Sequence, residues 1–237
     1  MARRFERNSG LERIRKAVVA RHGARILGGP FEGMLYVEEA VGSCLLPKLA
    51  GSYEQETVSV LEEAIACGPK VVIDVGAAEG YYAIGLARRL PGATVYAFDI
   101  DPHATRLCRH LAELNGVSER VVTAGACTVD TLQARLGPGA LVICDCEGFE
   151  DELLDPRRVP ALERAQVLVE LHDHLRPGVS LRIKERFART HRTRMIPSVP
   201  RDESAALRLE LPSPEDRALA VNEFRPAPQQ WAWLVPV

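Results

Sequence analysis

The sequence predicts an α/β fold in which helices cover both faces of a parallel sheet, and three observations predict it. Val71, Val72, Ile73 and Val75 make a β-branched run suited to a central strand buried on both faces. Gly76 and Gly80 follow at once, and residues 81 to 90 then read as a helix stopped by Pro91 and Gly92. Further strands follow, and counting the first, four strands carry unusual polar residues at the C-terminal edge, where open parallel sheets bind ligands.

The 237 residues suffice for one full α/β domain with a short extension. A formal net charge of −2 and the lack of any 18-residue apolar stretch argue against a transmembrane span and a general nucleic-acid footprint. The opening MARRFERNSG lacks the apolar segment of a secretory signal, so a cytoplasmic location is expected. Cys44, Cys67, Cys108, Cys127, Cys144 and Cys146 show no C-x-x-C spacing and read as reduced thiols.

Residues 1 to 53 read as an N-terminal helical extension and lid. Arg3, Arg4, Arg7, Arg13, Arg15, Lys16, Arg21 and Arg25 face only Glu6 and Glu12, and Leu11, Ile14, Ala17 and Val18 recur at helix spacing. An amphipathic helix over about 10 to 22 is therefore predicted. From 54 to 237 the main domain begins with a helix over 54 to 67, where Glu54 and Glu56 are acids at its start. A second strand, 94 to 98, is closed by Asp99-Ile100-Asp101-Pro102, with Asp101 as N-cap and Pro102 at the first helical position of 103 to 114. Strands at 120 to 123, 140 to 144 and 166 to 171 and helices at 128 to 136 and 179 to 188 follow.

The chemistry gathers at the strand ends. In D-x-G-x-A-x-G over 74 to 80, Asp74 sets a carboxylate where a pyrophosphate turn has none, which fits a ligand carrying an ammonium group and a nucleoside. Asp99, ending the second strand, can accept both hydroxyls of a ribose. Five carboxylates fall within residues 145 to 152. Asp145 and Glu147 are expected to face the crevice, while Glu150, Asp151 and Glu152 read as the acidic first turn of a helix. Glu170 and His172 share a direction on the fifth strand, with Asp173 and His174 beyond. His172 is the expected general base, Glu170 its orienting partner, and His174 and Asp173 the substitutes.

Taken together, DVGAAEG at 74 to 80, FDIDP at 98 to 102, DCEGFE at 145 to 150 and VELHDH at 169 to 174 resemble the class I S-adenosylmethionine-dependent methyltransferases, and more narrowly their FkbM-like group. The resemblance covers roughly residues 50 to 196. It implies a Rossmann-like seven-stranded sheet in the order 3-2-1-4-5-7-6, with 192 to 196 and 230 to 235 as its last strands. The connection at about 197 to 228 then becomes an acceptor-side insert, with a helix over 213 to 222 and a polar cluster of Asn222, Glu223, Phe224 and Arg225.

The resemblance also implies S-adenosylmethionine as cofactor. Asp74, Gly76, Ala77, Ala78, Glu79 and Gly80 would hold its methionine end, Asp99 its ribose hydroxyls, Ile100 would be a further cofactor contact, and Asp145 would lie beside the transferred methyl. His172, Glu170, Asp145 and His174 form the implied catalytic set. The implied reaction methylates a hydroxyl of a small molecule such as a sugar or natural-product intermediate. Another nucleophile, a cyclase outcome, or NAD-dependent oxidation are the alternatives. Asp145, Glu147, Glu170 and His172 are the expected ligands should Mg²⁺ or Mn²⁺ be used. The expected partner is a small-molecule acceptor, without nucleic acid or membrane, and a homodimer is open. Two departures from the family pattern are Ala78 in place of the middle glycine and Ala126-Cys127 after the third strand.

Overall fold

The computed structural model describes residues 2–225, 227 and 229–237, with side chains from residue 9 onward. The side chains of Arg3, Arg4 and Arg7, and residue 228 at the end of the expected insert, lie outside the described residues. The chain forms two compact units, 1–58 with 199–224 and 59–198 with 225–237. The long connection between the last two strands thus groups with the N-terminal extension, a pairing that local sequence pattern does not signal.

In the second unit, strands β1 (Val71–Val75), β2 (Thr94–Phe98), β3 (Val121–Ala124), β4 (Leu141–Cys144), β5 (Gln166–Leu171), β6 (His191–Pro197) and β7 (Gln230–Pro236) form one sheet in the order β3-β2-β1-β4-β5-β7-β6. The first five run parallel and β7 is antiparallel to both neighbours. Helices cover both faces, as the β-branched, doubly buried β1 requires. One face packs Ile73, Val75, Val142, Cys144, Val167 and Val169 against Leu153, Leu162, Ile183 and Phe187. Burying these side chains contributes about 1.5–3 kcal/mol each before chain entropy is charged against it.

The connecting helices obey their local signals. Asp101 accepts from the His103 amide and caps the helix Pro102–Leu114, with proline at its first turn. Thr128 caps Val129–Arg135 in the same way. The helix Val179–Phe187 starts at Gly178, braced by Asp173, whose Oδ1 accepts from Gly178 N at 3.0 Å and Ser180 Oγ at 3.1 Å.

In the first unit, the N-terminal helix runs Ala2–His22, longer than predicted, and buries Ile14 and Val18 while Ala17 stays exposed. The helix Pro214–Val221 packs on it and in turn on the short helix Leu45–Ala50 and the 3₁₀ segment Glu203–Leu209, and Arg13 pairs with Asp216 at 2.5 Å. Glu56 is not an exposed helix-start acid. It pairs with Arg201, which also binds Glu223 at 2.7 Å, so the polar cluster near 223 is partly structural.

Candidate functional site

The turn after β1 is the first part of the site. Gly76 has φ +82°, and a Cβ there would lie 1.6 Å from the Asp145 carbonyl oxygen, so the chain leaving β1 passes the end of its parallel neighbour β4 at backbone contact. Gly76 is therefore required by the protein itself, whatever the ligand needs. Ala78, at φ +47°, holds the left-handed conformation that glycine holds more cheaply. The amides of Gly76 and Ala77 donate to Phe98 O, that of Gly80 to Ala77 O, and that of Ala78 to Asp99 Oδ2 at 2.8 Å. Four turn amides are thus spent inside the fold, and none of these four is offered to a phosphate.

Carboxylates converge on the same turn. Asp74 and Glu79 are buried, and Asp99 stands half-exposed at the end of β2, its other oxygen accepting from the Asp101 amide. Each carboxylate oxygen accepts twice, so Asp99 keeps acceptor capacity beyond the two amides that aim it. Burial, then the charges of Asp74, Glu79 and Asp99, push the Cys108 thiol up to about 12. Ile100 is 84% exposed, an apolar side chain at the rim beside Asp99.

The second part is built from the ends of β4 and β5. Of the five acids from 145 to 152, three have dedicated partners. Glu150, Asp151 and Glu152 do form the acidic first turn of a helix, the single turn Glu150–Leu153, and Glu150 and Asp151 are buried in it. Glu150 Oε1 lies 2.7 Å from His172 Nδ1 and accepts from Gly148 N. Asp151 pairs with Arg182 at 2.5 Å and with Arg176 at 3.2 Å, and Glu152 pairs with Arg176 at 2.8 Å. The basic face around 176 to 186 thus neutralises an acidic turn within the protein.

Asp145 and Glu147 turn instead toward His172. Glu147 has φ +53° and Gly148 φ +100°, a tight reversal that brings the Glu147 carboxylate back over the strand end. His172 is fully buried, and its Nε2 lies 3.6 Å from Asp145 Oδ1, 3.6 Å from Glu147 Oε2 and 3.7 Å from Glu170 Oε2. Burial pushes the imidazole down, but the hydrogen bond to Glu150 and the charges of Glu170, Glu150 and Glu147 outweigh it, and the net shift is upward.

The expected orienting pair is corrected here. Glu150, not Glu170, bonds the His172 ring, because Glu170 Oε1 is held by Arg225 at 2.6 Å. Its only sequence signal was position: a carboxylate one short turn beyond a buried strand, across from a histidine on the next. Asp173 braces a helix and is no substitute base. His174 is exposed, its ring 5.6 Å from that of His172, and it lines a cavity of about 300 Å³ with Leu171, Pro197, Ser198 and Gln230.

The strand order, with its single antiparallel β7 beside β5, decides the fold. It is the class I S-adenosylmethionine-dependent methyltransferase fold. An O-methyltransferase of this class involved in tomaymycin synthesis, from Streptomyces achromogenes and solved with S-adenosylmethionine, superposes with a TM-score of 0.54 at 19% identity, covering 80% of this chain and 82% of that one. The family described as ribosomal protein L11 methyltransferase (PrmA) matches residues 55–143. A release factor glutamine methyltransferase from Chlorobaculum tepidum is 42% identical over 74 residues, 30% of this chain and only 25% of that protein's length. A tRNA1(Val) (adenine(37)-N6)-methyltransferase from Porphyromonas gingivalis is 26% identical over 185 residues, 70% of this chain and 69% of that protein. The family match spans the class I methyltransferase elements from the helix before β1 through β4, which carry the Gly76 turn and Asp99.

Proposed function

We propose that this chain is an S-adenosylmethionine-dependent methyltransferase of the FkbM-like type, acting on a hydroxyl of a small molecule such as a sugar or natural-product intermediate. The observation that carries the cofactor is the turn at 76 to 80: four of its amides are consumed internally while Asp74, Glu79 and Asp99 surround it. A dianionic pyrophosphate would find carboxylates there, whereas a cationic amino-acid sulfonium with a ribose finds partners. Asp99 takes the ribose hydroxyls, Ile100 covers the base, and Asp74 and the turn face the methionine end.

Asp145 then sits between cofactor and acceptor, since its carbonyl touches Gly76 and its carboxylate faces His172. Methyl transfer from a sulfonium asks chiefly for alignment of the acceptor lone pair and a place for the hydroxyl proton. His172 with Asp145, Glu147 and Glu170 supplies that place, and the cavity beside His174 supplies room for the acceptor. A nitrogen acceptor is the second reading, favoured by the names of the two sequence relatives, which give glutamine and adenine N6. Six cysteines without a disulfide fit a cytoplasmic, reducing compartment. Among the described residues, no helix is long and apolar enough to cross a membrane.

Calorimetry tests the cofactor. Micromolar binding of S-adenosylmethionine and its demethylated product, with much weaker binding of NAD, is expected; tight NAD binding without response to either sulfur nucleoside would overturn the reading.

A further inference from the structure

The geometry points to Asp145, Glu147 and His172 as the ligands of one divalent first-row transition-metal ion, with Glu150 fixing the histidine from behind. The metal is a property of the protein alone; its use at the acceptor rests on the methyl-transfer reading above.

The three ligand atoms lie within 4.8 Å of one another. His172 is buried, and its Nε2 has no hydrogen-bond partner. The 3.6 Å from Nε2 to each of the two carboxylate oxygens is too long for an N–H···O bond. It is the separation of two ligands that each stand about 2.1–2.2 Å from a shared ion and subtend roughly 110–120° there.

The tautomer follows from Glu150. With a carboxylate as acceptor, Nδ1 of the neutral imidazole carries the proton of the 2.7 Å bond, and the Nε2 lone pair then points at Asp145 and Glu147. A lone pair and two anionic oxygens facing one another repel; a cation among them converts the repulsions into three bonds. Carboxylate, imidazole and ion in series is the usual way a ligating histidine is oriented and made more basic. The neighbouring acids are otherwise engaged. Glu170 is held by Arg225, and Asp151 and Glu152 by Arg176 and Arg182.

An imidazole beside two carboxylates selects against Mg²⁺ and Ca²⁺, which take oxygen ligands, and for the Mn²⁺ to Zn²⁺ series. An ion there would lower the pKa of a hydroxyl placed on it. It would also make His172 a ligand, and of the groups named above as a place for the hydroxyl proton it would leave Glu170, whose Oε2 lies 3.7 Å from Nε2.

The test uses chelator-stripped full-length protein titrated with Co²⁺ while visible absorption is followed. One Co²⁺ per chain is expected, displaced by excess Zn²⁺ and not by equal Mg²⁺. His172→Ala should abolish the absorption band, and Asp145→Asn should do the same should the first variant not fold. Glu150→Gln should weaken Co²⁺ about tenfold to a hundredfold, whereas Glu152→Gln, on the same segment, should bind as wild type. No stoichiometric band in wild type, a wild-type band in both ligand variants, or displacement by Mg²⁺ would each overturn the proposal. Calorimetry with S-adenosylmethionine on the same preparations separates the two readings: Co²⁺ binding without nucleoside binding sustains the ion site and removes the cofactor.

Discussion

Asp99 is the residue at which local structure and ligand recognition meet, because its two oxygens accept from Ala78 N and Asp101 N, each at 2.8 Å. Asp99→Ala should weaken S-adenosylmethionine by about tenfold to a hundredfold, from charge-assisted bonds of about 1.5–3 kcal/mol, and should lower the melting temperature as well. Calorimetry and a thermal melt on one sample check both, and unchanged affinity would move the ribose contact elsewhere. Asp99, Asp145 and His172 were legible in the sequence because each ends a strand. Glu150 was not, since the acidic run gave no sign of which acids would be buried, and burial depended on Arg176 and Arg182 folding back across about 30 residues of chain.

His191 is a second residue whose behaviour follows from burial. Its Nε2 meets Ala165 O and its Nδ1 meets Thr190 Oγ1, both at 2.9 Å. Burial drives its pKa down, and the Ala165 bond and the charge of Glu163 pull the other way less strongly. Unfolding therefore takes up a proton below about pH 6.5, and the stability present above that pH is lost as pH falls through the lower folded value. Melting temperatures from pH 7 to 5 should fall more steeply for wild type than for His191→Gln; parallel curves would count against it.

At the scale of elements, the close approach of the β1 turn to the end of β4 is the least tolerant point. Gly76→Ala combines a positive φ with a Cβ 1.6 Å from Asp145 O, and should cost about 3 kcal/mol or more. Urea denaturation should show this as a loss of midpoint at unchanged slope. Asp101→Ala removes one cap and should cost only about 1 kcal/mol in the same assay. Strand and helix positions were readable from periodicity and caps because both are local. The order of β6 and β7 came only from the family resemblance, since no local pattern tells an antiparallel edge pair which neighbour it joins.

Over the whole molecule, the division into units was the part least open to sequence reasoning. Residues 199–224 look like a long connection, yet Pro214–Val221 packs with the helices Ala2–His22 and Leu45–Ala50 in one discontinuous unit. A chain shortened to begin at residue 59 should leave the amides of 214 to 221 unprotected in hydrogen exchange. Retained protection there would show that this helix is held by something other than the N-terminal segments.

The same discontinuity sets a timetable for synthesis. Residues 1–58 leave the ribosome roughly 140 residues ahead of the segment that completes their core, a delay on the order of ten seconds at ordinary elongation rates. During that interval the helices Ala2–His22 and Leu45–Ala50 lack the late-arriving helix Pro214–Val221 that packs on both, so the nascent chain offers chaperones, and other nascent chains, an apolar surface that the finished protein conceals.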